Sequence, residues 1–238
     1  MLCIRGAKML TLKNNCFLGD KPFLQTAVML LGGDMPQDSG LLQYIKEAPY
    51  LAAADGGAAA ALGLGCCPNL LIGDFDSLPA ADLNACKAQG AEVAALPQMK
   101  DWTDGEFLFS ELFGRGFRRL LVLGALGGRP DQQLANIFCA EKAARDGLFC
   151  LLAHDNALLL PLYAESEPQT LLLEGFAGQT ASLVSLSESC GNIWLDGFFY
   201  PLNDALYRRQ TRGISNIINV EQAKISLTMG SLLVIINR

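Results

Sequence analysis

The sequence predicts an α/β chain, with a mostly parallel three-layer α/β domain at 20–163 and a small all-β sandwich or barrel at 168–238. Three observations carry this. Short apolar runs alternate with longer amphipathic ones from Thr26 to about Leu160. The polar, proline-bearing stretch Ala164–Gln169 then suits a linker. Beyond it come short β-like runs punctuated by glycine, with no sustained helical period.

Taken in order, the candidate strands of the first domain are Ala27–Leu31, Tyr50–Ala54, Asn69–Ile72, Glu92–Leu96, Arg119–Leu123 and Phe149–Ala153. They are continuously apolar rather than alternating, as strands covered on both faces are. Between them the spacing predicts helices at Gly40–Glu47, Gly57–Leu64, Ala80–Gln89, Asp104–Phe113 and Asp131–Arg145. In the second domain the runs are Thr170–Leu173, Thr180–Leu186, Asn192–Leu195, Ala205–Tyr207, Lys224–Thr228 and Leu232–Ile236. Glycines at 175, 178, 191, 197, 213 and 230 separate them, a texture expected of a small antiparallel sandwich.

A chain of 238 residues that is 51% hydrophobic and 18% charged can bury a sizeable core. The formal net charge of −6 and scattered basic residues argue against a nucleic-acid groove, which needs a basic face. No apolar run has the length of a bilayer span, roughly 18–20 residues. Eight cysteines are dispersed, apart from the pair Cys66–Cys67, and only one histidine is present, so a Cys/His zinc site is not expected. With no signal-like leader in residues 1–16, the expectation is a cytoplasmic protein with buried free thiols and no membrane partner.

The informative feature is where the aspartates fall. Three apolar runs lead into an acid flanked by glycine: LLGGD (Asp34), LAAADGG (Asp55, Gly56) and LLIGDFDS (Asp74, Asp76). Ligands of an open parallel sheet bind beyond the carboxyl ends of its strands. A fourth cluster, KDWTD, opens the next helix with Lys100, Asp101, Trp102, Thr103 and Asp104. Carboxylates converging there would repel one another unless a divalent cation joined them. Asp55, Asp74, Asp76 and Asp104 are therefore candidate Mg²⁺ ligands, since that ion prefers carboxylate, water and phosphate oxygens. The plainer reading makes each aspartate a turn former, and makes Thr103 or Asp104 a helix cap.

The next strand exit reads GALGGRPDQQLAN. Gly127 and Gly128 followed by Arg129 at a helix start offer a phosphate cradle of backbone N–H groups, helix dipole and guanidinium. Asp131 favours the helix N-terminus on any reading.

In order along the chain, ADGG at 54–57, GDFDS at 73–77, KDWTD at 100–104, GGRPDQ at 127–132, GFFYPL at 197–202 and TRGISN at 211–216 resemble the thiamine pyrophosphokinase family. The resemblance spans roughly 50–236 and implies transfer of the β,γ-diphosphate of ATP to the hydroxyl of thiamine, in a Mg²⁺-dependent homodimer. On that reading Asp74, Asp76, Asp104 and Arg129 are catalytic. Asp55, Gly56, Asp101, Thr103, Gly127, Gly128, Arg129 and Asp131 bind ATP. Tyr200, Ser215, Asn216 and Gln132 meet thiamine, with Tyr200 stacking on it and Trp102 and Trp194 left to packing. Two departures stand out. Gln132 occupies a position where many bacterial members carry histidine, and LYRRQ at 206–210 is poorer in glycine than the family's turn. Two rivals remain open at this stage: a DxD-type Mg²⁺-dependent phosphohydrolase using an aspartyl-phosphate, and a non-catalytic nucleotide or thiamine sensor.

Overall fold

The computed structural model describes residues 8–14, 17, 25–54, 56–76, 78–97 and 101–238. Asp55, Lys100, Cys3 and Cys16 lie outside the described residues. The chain runs β1 (Lys8–Lys13), β2 (Thr26–Leu30), α1 (Ser39–Lys46), β3 (Leu51–Ala54), α2 (Gly56–Gly63), β4 (Leu70–Gly73), α3 (Ala80–Ala88) and β5 (Glu92–Ala95). It continues with α4 (Asp104–Gly114), β6 (Arg119–Leu123), α5 (Pro130–Arg145), β7 (Phe149–His154), β8 (Ala157–Ala164) and β9 (Gln169–Glu174). The remaining strands are β10 (Thr180–Ser185), β11 (Ser189–Asp196), β12 (Asn203–Tyr207), β13 (Asn216–Ile217), β14 (Gln222–Leu227) and β15 (Gly230–Asn237).

Two compact units emerge. The α/β unit comprises the described residues of Phe23–Ala143 with Cys150–Asp155. Its strand order is β7-β6-β2-β3-β4-β5. β2 runs parallel to both β6 and β3, β3 to β4, and β4 to β5. Val28, Met29, Leu30, Ala52, Ala53, Leu70, Leu71 and Leu120–Leu123 are fully buried, which is why these strands read as unbroken apolar runs. The chain leaves β2 in one direction along the sheet, through β3, β4 and β5, and leaves β6 in the other, toward β7. The order therefore reverses between β2 and β6, the point at which an open sheet of this kind forms a crevice beyond its strand ends.

Local chemistry sets the helix starts. Asp38 caps α1, its Oδ1 accepting the Leu41 N–H at 2.9 Å, and Asp155 after β7 accepts the N–H groups of Gln37 and Asp38. Thr103 caps α4, its hydroxyl accepting the Glu106 N–H at 3.1 Å.

The β unit comprises the described residues of Met1–Pro22, Ala144–Phe149 and Asn156–Arg238. One set of its strands is ordered β1-β9-β14-β11-β12 and another β13-β10-β15-β8. All pairings within these sets are antiparallel except β1 with β9, which is parallel. In β9, buried Gln169, Leu171 and Leu173 alternate with half-buried residues, the period-2 pattern of a strand with one covered face. The stretch 164–169, read as a linker, joins β8 to β9 inside this unit. Lys8–Lys13 and Ala157–Ala164 are strands that periodicity alone left unassigned. Pro161, which discourages a strand reading, sits in β8 opposite Leu233. In the glycine-poor turn at 206–210, Arg209 itself takes the left-handed conformation at φ +68°.

Candidate active site

A cleft of about 490 Å³ opens in the α/β unit where the strand order reverses. Its walls come from four strand exits and helix starts: Leu31–Asp34 after β2, Ala54 and Gly56 after β3, Thr103–Gly105 at the start of α4, and the β6–α5 loop with the first turns of α5. Among the anticipated residues, Gly56, Thr103, Asp104, Gly127, Gly128, Arg129 and Gln132 all line it. The sheet order thus brings segments near 56, 104 and 128 to one place.

The β6–α5 loop forms the most constrained wall. Gly127 has φ +76°, and a side chain there would run into the Asp34 carboxylate. Gly128 N–H donates to Asp34 Oδ2 at 3.2 Å, and Gly127 N–H donates to Gln133 Oε1 at 3.1 Å. Asp34 N–H donates to Leu126 O at 3.1 Å and Gly33 N–H to Gly124 O at 2.8 Å, so the loop after β2 holds the loop after β6. Buried Asn136 adds a further tie, its Nδ2 donating to Ala125 O at 3.0 Å. Asp34, Gln133, Asn136 and Gly105 also line the cleft, and none was among the anticipated site residues. LLGGD was the only signal for one of them.

Arg129 lies at the rim, 73% exposed, and forks onto Asp131 through Nε at 3.2 Å and Nη2 at 2.5 Å. That hydrogen-bonded pairing holds the guanidinium above its ordinary pKa and the Asp131 carboxyl below its own. Both side chains are charged throughout the neutral range.

Other anticipated residues stand apart from the cleft lining. Asp74 and Asp76 follow β4, one strand further from the reversal point, and form a local turn in which Asp74 Oδ1 accepts the Asp76 N–H at 3.2 Å. Phe75 between them has φ +57°. Asp101 is exposed and outside the lining. Among the described residues, no three His, Cys, Asp or Glu side chains stand close enough to hold a metal ion without help. Trp102, expected to pack, is 63% exposed.

In the β unit, Tyr200 is 63% exposed and meets exposed Phe199 edge-on at 4.8 Å. Its backbone is held by Asn216, whose Oδ1 accepts the Tyr200 N–H at 2.9 Å while Nδ2 donates to Tyr200 O at 2.7 Å. Asn216 is buried, so its amide serves Tyr200. Ser215, at φ +57°, donates its N–H to Ser182 Oγ at 2.9 Å and keeps an exposed side chain. The described cysteines are free thiols, with Cys86, Cys150 and Cys190 buried and Cys66, Cys67 and Cys139 half-buried. Among the described residues no helix is long and apolar enough to cross a membrane.

Comparison with known proteins bears on this cleft. A family model described as the thiamin pyrophosphokinase catalytic domain matches residues 41–151, and one for the thiamin pyrophosphokinase vitamin B1 binding domain matches 168–232. The thiamine pyrophosphokinase of Bacillus subtilis is 24% identical over 213 residues, covering 89% of this chain and 98% of its own length. A crystal structure of the Geobacillus thermodenitrificans enzyme superposes with a TM-score of 0.74 at 26% identity, covering 90% of this chain and 97% of that one. The Candida albicans structure matches with a TM-score of 0.75 at 15% identity, across 100% of this chain and 95% of that one, which speaks to the fold.

Proposed function

This chain belongs to the thiamin pyrophosphokinase family, and from that premise we propose that it moves the β,γ-diphosphate of ATP onto the hydroxyl of thiamine, releasing AMP. One observation carries the reading. The glycine–arginine loop of Gly127–Arg129 and the acidic helix start Thr103–Asp104 face a single cleft at the strand-order reversal of a parallel sheet. The α4 and α5 N-termini both begin at that cleft, and helix N-termini favour phosphate.

In the reaction the thiamine hydroxyl gives up its proton to a carboxylate as its oxygen bonds to Pβ, while the bond from Pβ to the AMP oxygen breaks. Catalysis of this kind is mainly positioning and charge stabilisation. Arg129, at the rim, has only to exchange Asp131 for a phosphate oxygen, and the two partners offer similar bidentate geometry. Gly56 and the amides of Gly127 and Gly128 let the nucleotide tail approach backbone closely. Thr103 holds the first turn of α4, and so sets where the Asp104 carboxylate stands. Gln132, on the first turn of α5, is an uncharged donor and acceptor at the cleft wall.

The donor set suits magnesium: Asp55, Asp74, Asp76 and Asp104 offer hard carboxylate oxygens, and this ion is commonly held by only one or two carboxylates together with substrate phosphates. When bound with the nucleotide it supplies neutralisation of the phosphate charge.

On the β unit, exposed Tyr200 offers a ring face to a flat cation such as thiazolium, worth about 0.5–2 kcal/mol. Exposed Ser215 offers a hydroxyl to the aminopyrimidine, and Asn216 acts through Tyr200. A cytoplasmic homodimer is the assembly that goes with this reading. The test is incubation of the purified chain with ATP, Mg²⁺ and thiamine, followed by chromatography for AMP and thiamine diphosphate. Release of inorganic phosphate without thiamine diphosphate would favour the phosphohydrolase instead.

A further inference from the structure

Asp34 stands at the phosphate end of the cleft, yet no part of the proposed reaction uses it. Its position is fixed by hydrogen bonds to the neighbouring loop. It follows β2 at the strand-order reversal, its N–H donates to Leu126 O at 3.1 Å, and its Oδ2 accepts the Gly128 N–H at 3.2 Å. Its carboxylate packs against Gly127, where no side chain fits.

Both amides of the glycine turn therefore already have acceptors, and the two acceptors differ in charge. Gln133 on Gly127 is neutral. Asp34 is an exposed carboxylate, and among the described residues no cationic side chain forms an ion pair with it. Arg129, the cation of the same loop, is forked onto Asp131. A carboxylate with no cationic partner among the described residues thus stands where a polyphosphate tail would lie.

We propose that Asp34 is a specificity-determining residue that makes the cleft discriminate against nucleotide lacking a divalent cation. The inference rests on the function proposed above. Free ATP carries about four negative charges at neutral pH and about two when a divalent ion rides on its phosphates. A fixed carboxylate roughly 5 Å away weakens binding by roughly three- to fourfold for each unit of charge even at the dielectric of water. The two-charge difference corresponds to roughly a tenfold preference for the metal-bound form. Asp34 also holds the turn in shape while the cleft is empty, since its oxygen takes the Gly128 N–H that a phosphate would otherwise take.

The experiment is equilibrium binding of ATP to the full chain without thiamine, in excess EDTA and in excess Mg²⁺, for the unmodified protein and for Asp34→Asn. Asparagine keeps an oxygen for Gly128 N–H and removes the charge. The expected result is tighter binding of both forms, with metal-free ATP gaining roughly tenfold more than Mg²⁺–ATP, so that the preference narrows. Asp34→Ser, smaller and also uncharged, gives the same narrowing and serves if the asparagine variant does not fold. An unchanged preference in both variants overturns the inference and leaves the proposed function standing, provided the unmodified protein forms thiamine diphosphate. Selective loss of Mg²⁺–ATP binding in the variants overturns it too, because Asp34 would then be a metal ligand. An unmodified protein that binds neither form of ATP removes the function reading and this inference together.

Discussion

Asn216 grips the backbone of Tyr200 from both sides, accepting its N–H at 2.9 Å and donating to its carbonyl at 2.7 Å. The buried amide thus holds in place the β11–β12 loop at Tyr200, a residue 63% exposed. An exposed ring on a fixed backbone is suited to receiving a flat ligand, because little ordering entropy is left to lose on binding.

Asn216→Ala leaves the Tyr200 N–H and C=O without their side-chain partner. The expected cost is about 1–3 kcal/mol of stability. The KM for thiamine rises several-fold while the KM for ATP stays near its original value. Tyr200→Phe retains the ring and most of the thiamine affinity, whereas Tyr200→Ala loses roughly three- to thirtyfold, in line with the stacking energy. Steady-state kinetics with each substrate varied separately checks both. An equal loss from Tyr200→Phe and Tyr200→Ala would assign the effect to the hydroxyl instead.

Gly127→Ala forces a side chain onto the Asp34 carboxylate at a φ of +76°. The strain is on the order of 1–3 kcal/mol, and the turn must move to relieve it. The expected outcome is a lower melting temperature together with a loss of ATP binding exceeding tenfold. Gly147→Ala, at a φ of +90° with open space around it, is a control that carries backbone strain without a steric clash, and it leaves ATP binding intact.

Arg129 is 73% exposed, so Arg129→Ala leaves the melting temperature within a degree or two. Turnover falls by roughly 100- to 1000-fold if the guanidinium meets phosphate oxygens in the transition state. Arg129→Lys recovers little of this, since an ammonium lacks the bidentate fork. Circular dichroism melts and single-turnover product formation separate folding from chemistry.

Asp76→Asn and Asp104→Asn fold normally yet abolish turnover on the proposed reading. Titration with Mg²⁺ distinguishes the mechanism: if these side chains hold the cation, raising its concentration partly restores activity. A variant with near-normal activity at ordinary Mg²⁺ removes that residue from the metal site.

Burial pushes the Cys86 and Cys139 thiols up to about 11 and also raises Cys150. The folded state therefore binds these protons more tightly than the unfolded chain does. Their contribution to stability is intact below the ordinary thiol pKa and declines as pH rises above it toward about 11. The melting temperature should fall between neutral pH and pH of about 10. Near neutral pH, mass spectrometry should find the buried Cys86 and Cys150 alkylated only after unfolding.

Much of the α/β unit was legible because its strands are continuously apolar and its helix starts carry glycine, aspartate or threonine at defined offsets. Arg119–Leu123 and Phe149–Ala153 could be read as strands from their own residues. The β unit was legible in outline, but Pro161 hid β8, and six residues of mixed character hid β1. Asp34 was visible as an acid after a strand, with nothing local to say that it would meet Gly128.

The sequence by itself determined the helices and most of the strands of the α/β unit, and that acids and glycines cluster where the strands end, because hydrophobic period and backbone preference are properties of neighbouring residues. Only the tertiary structure decided which of those ends share a cleft. Residues 34 and 128 are 94 positions apart and meet because β2 lies beside β6, whereas Asp74 and Asp76 leave from β4, two strands from β2. Strand order is a choice made by packing across the whole sheet, and a local stretch of sequence does not contain it.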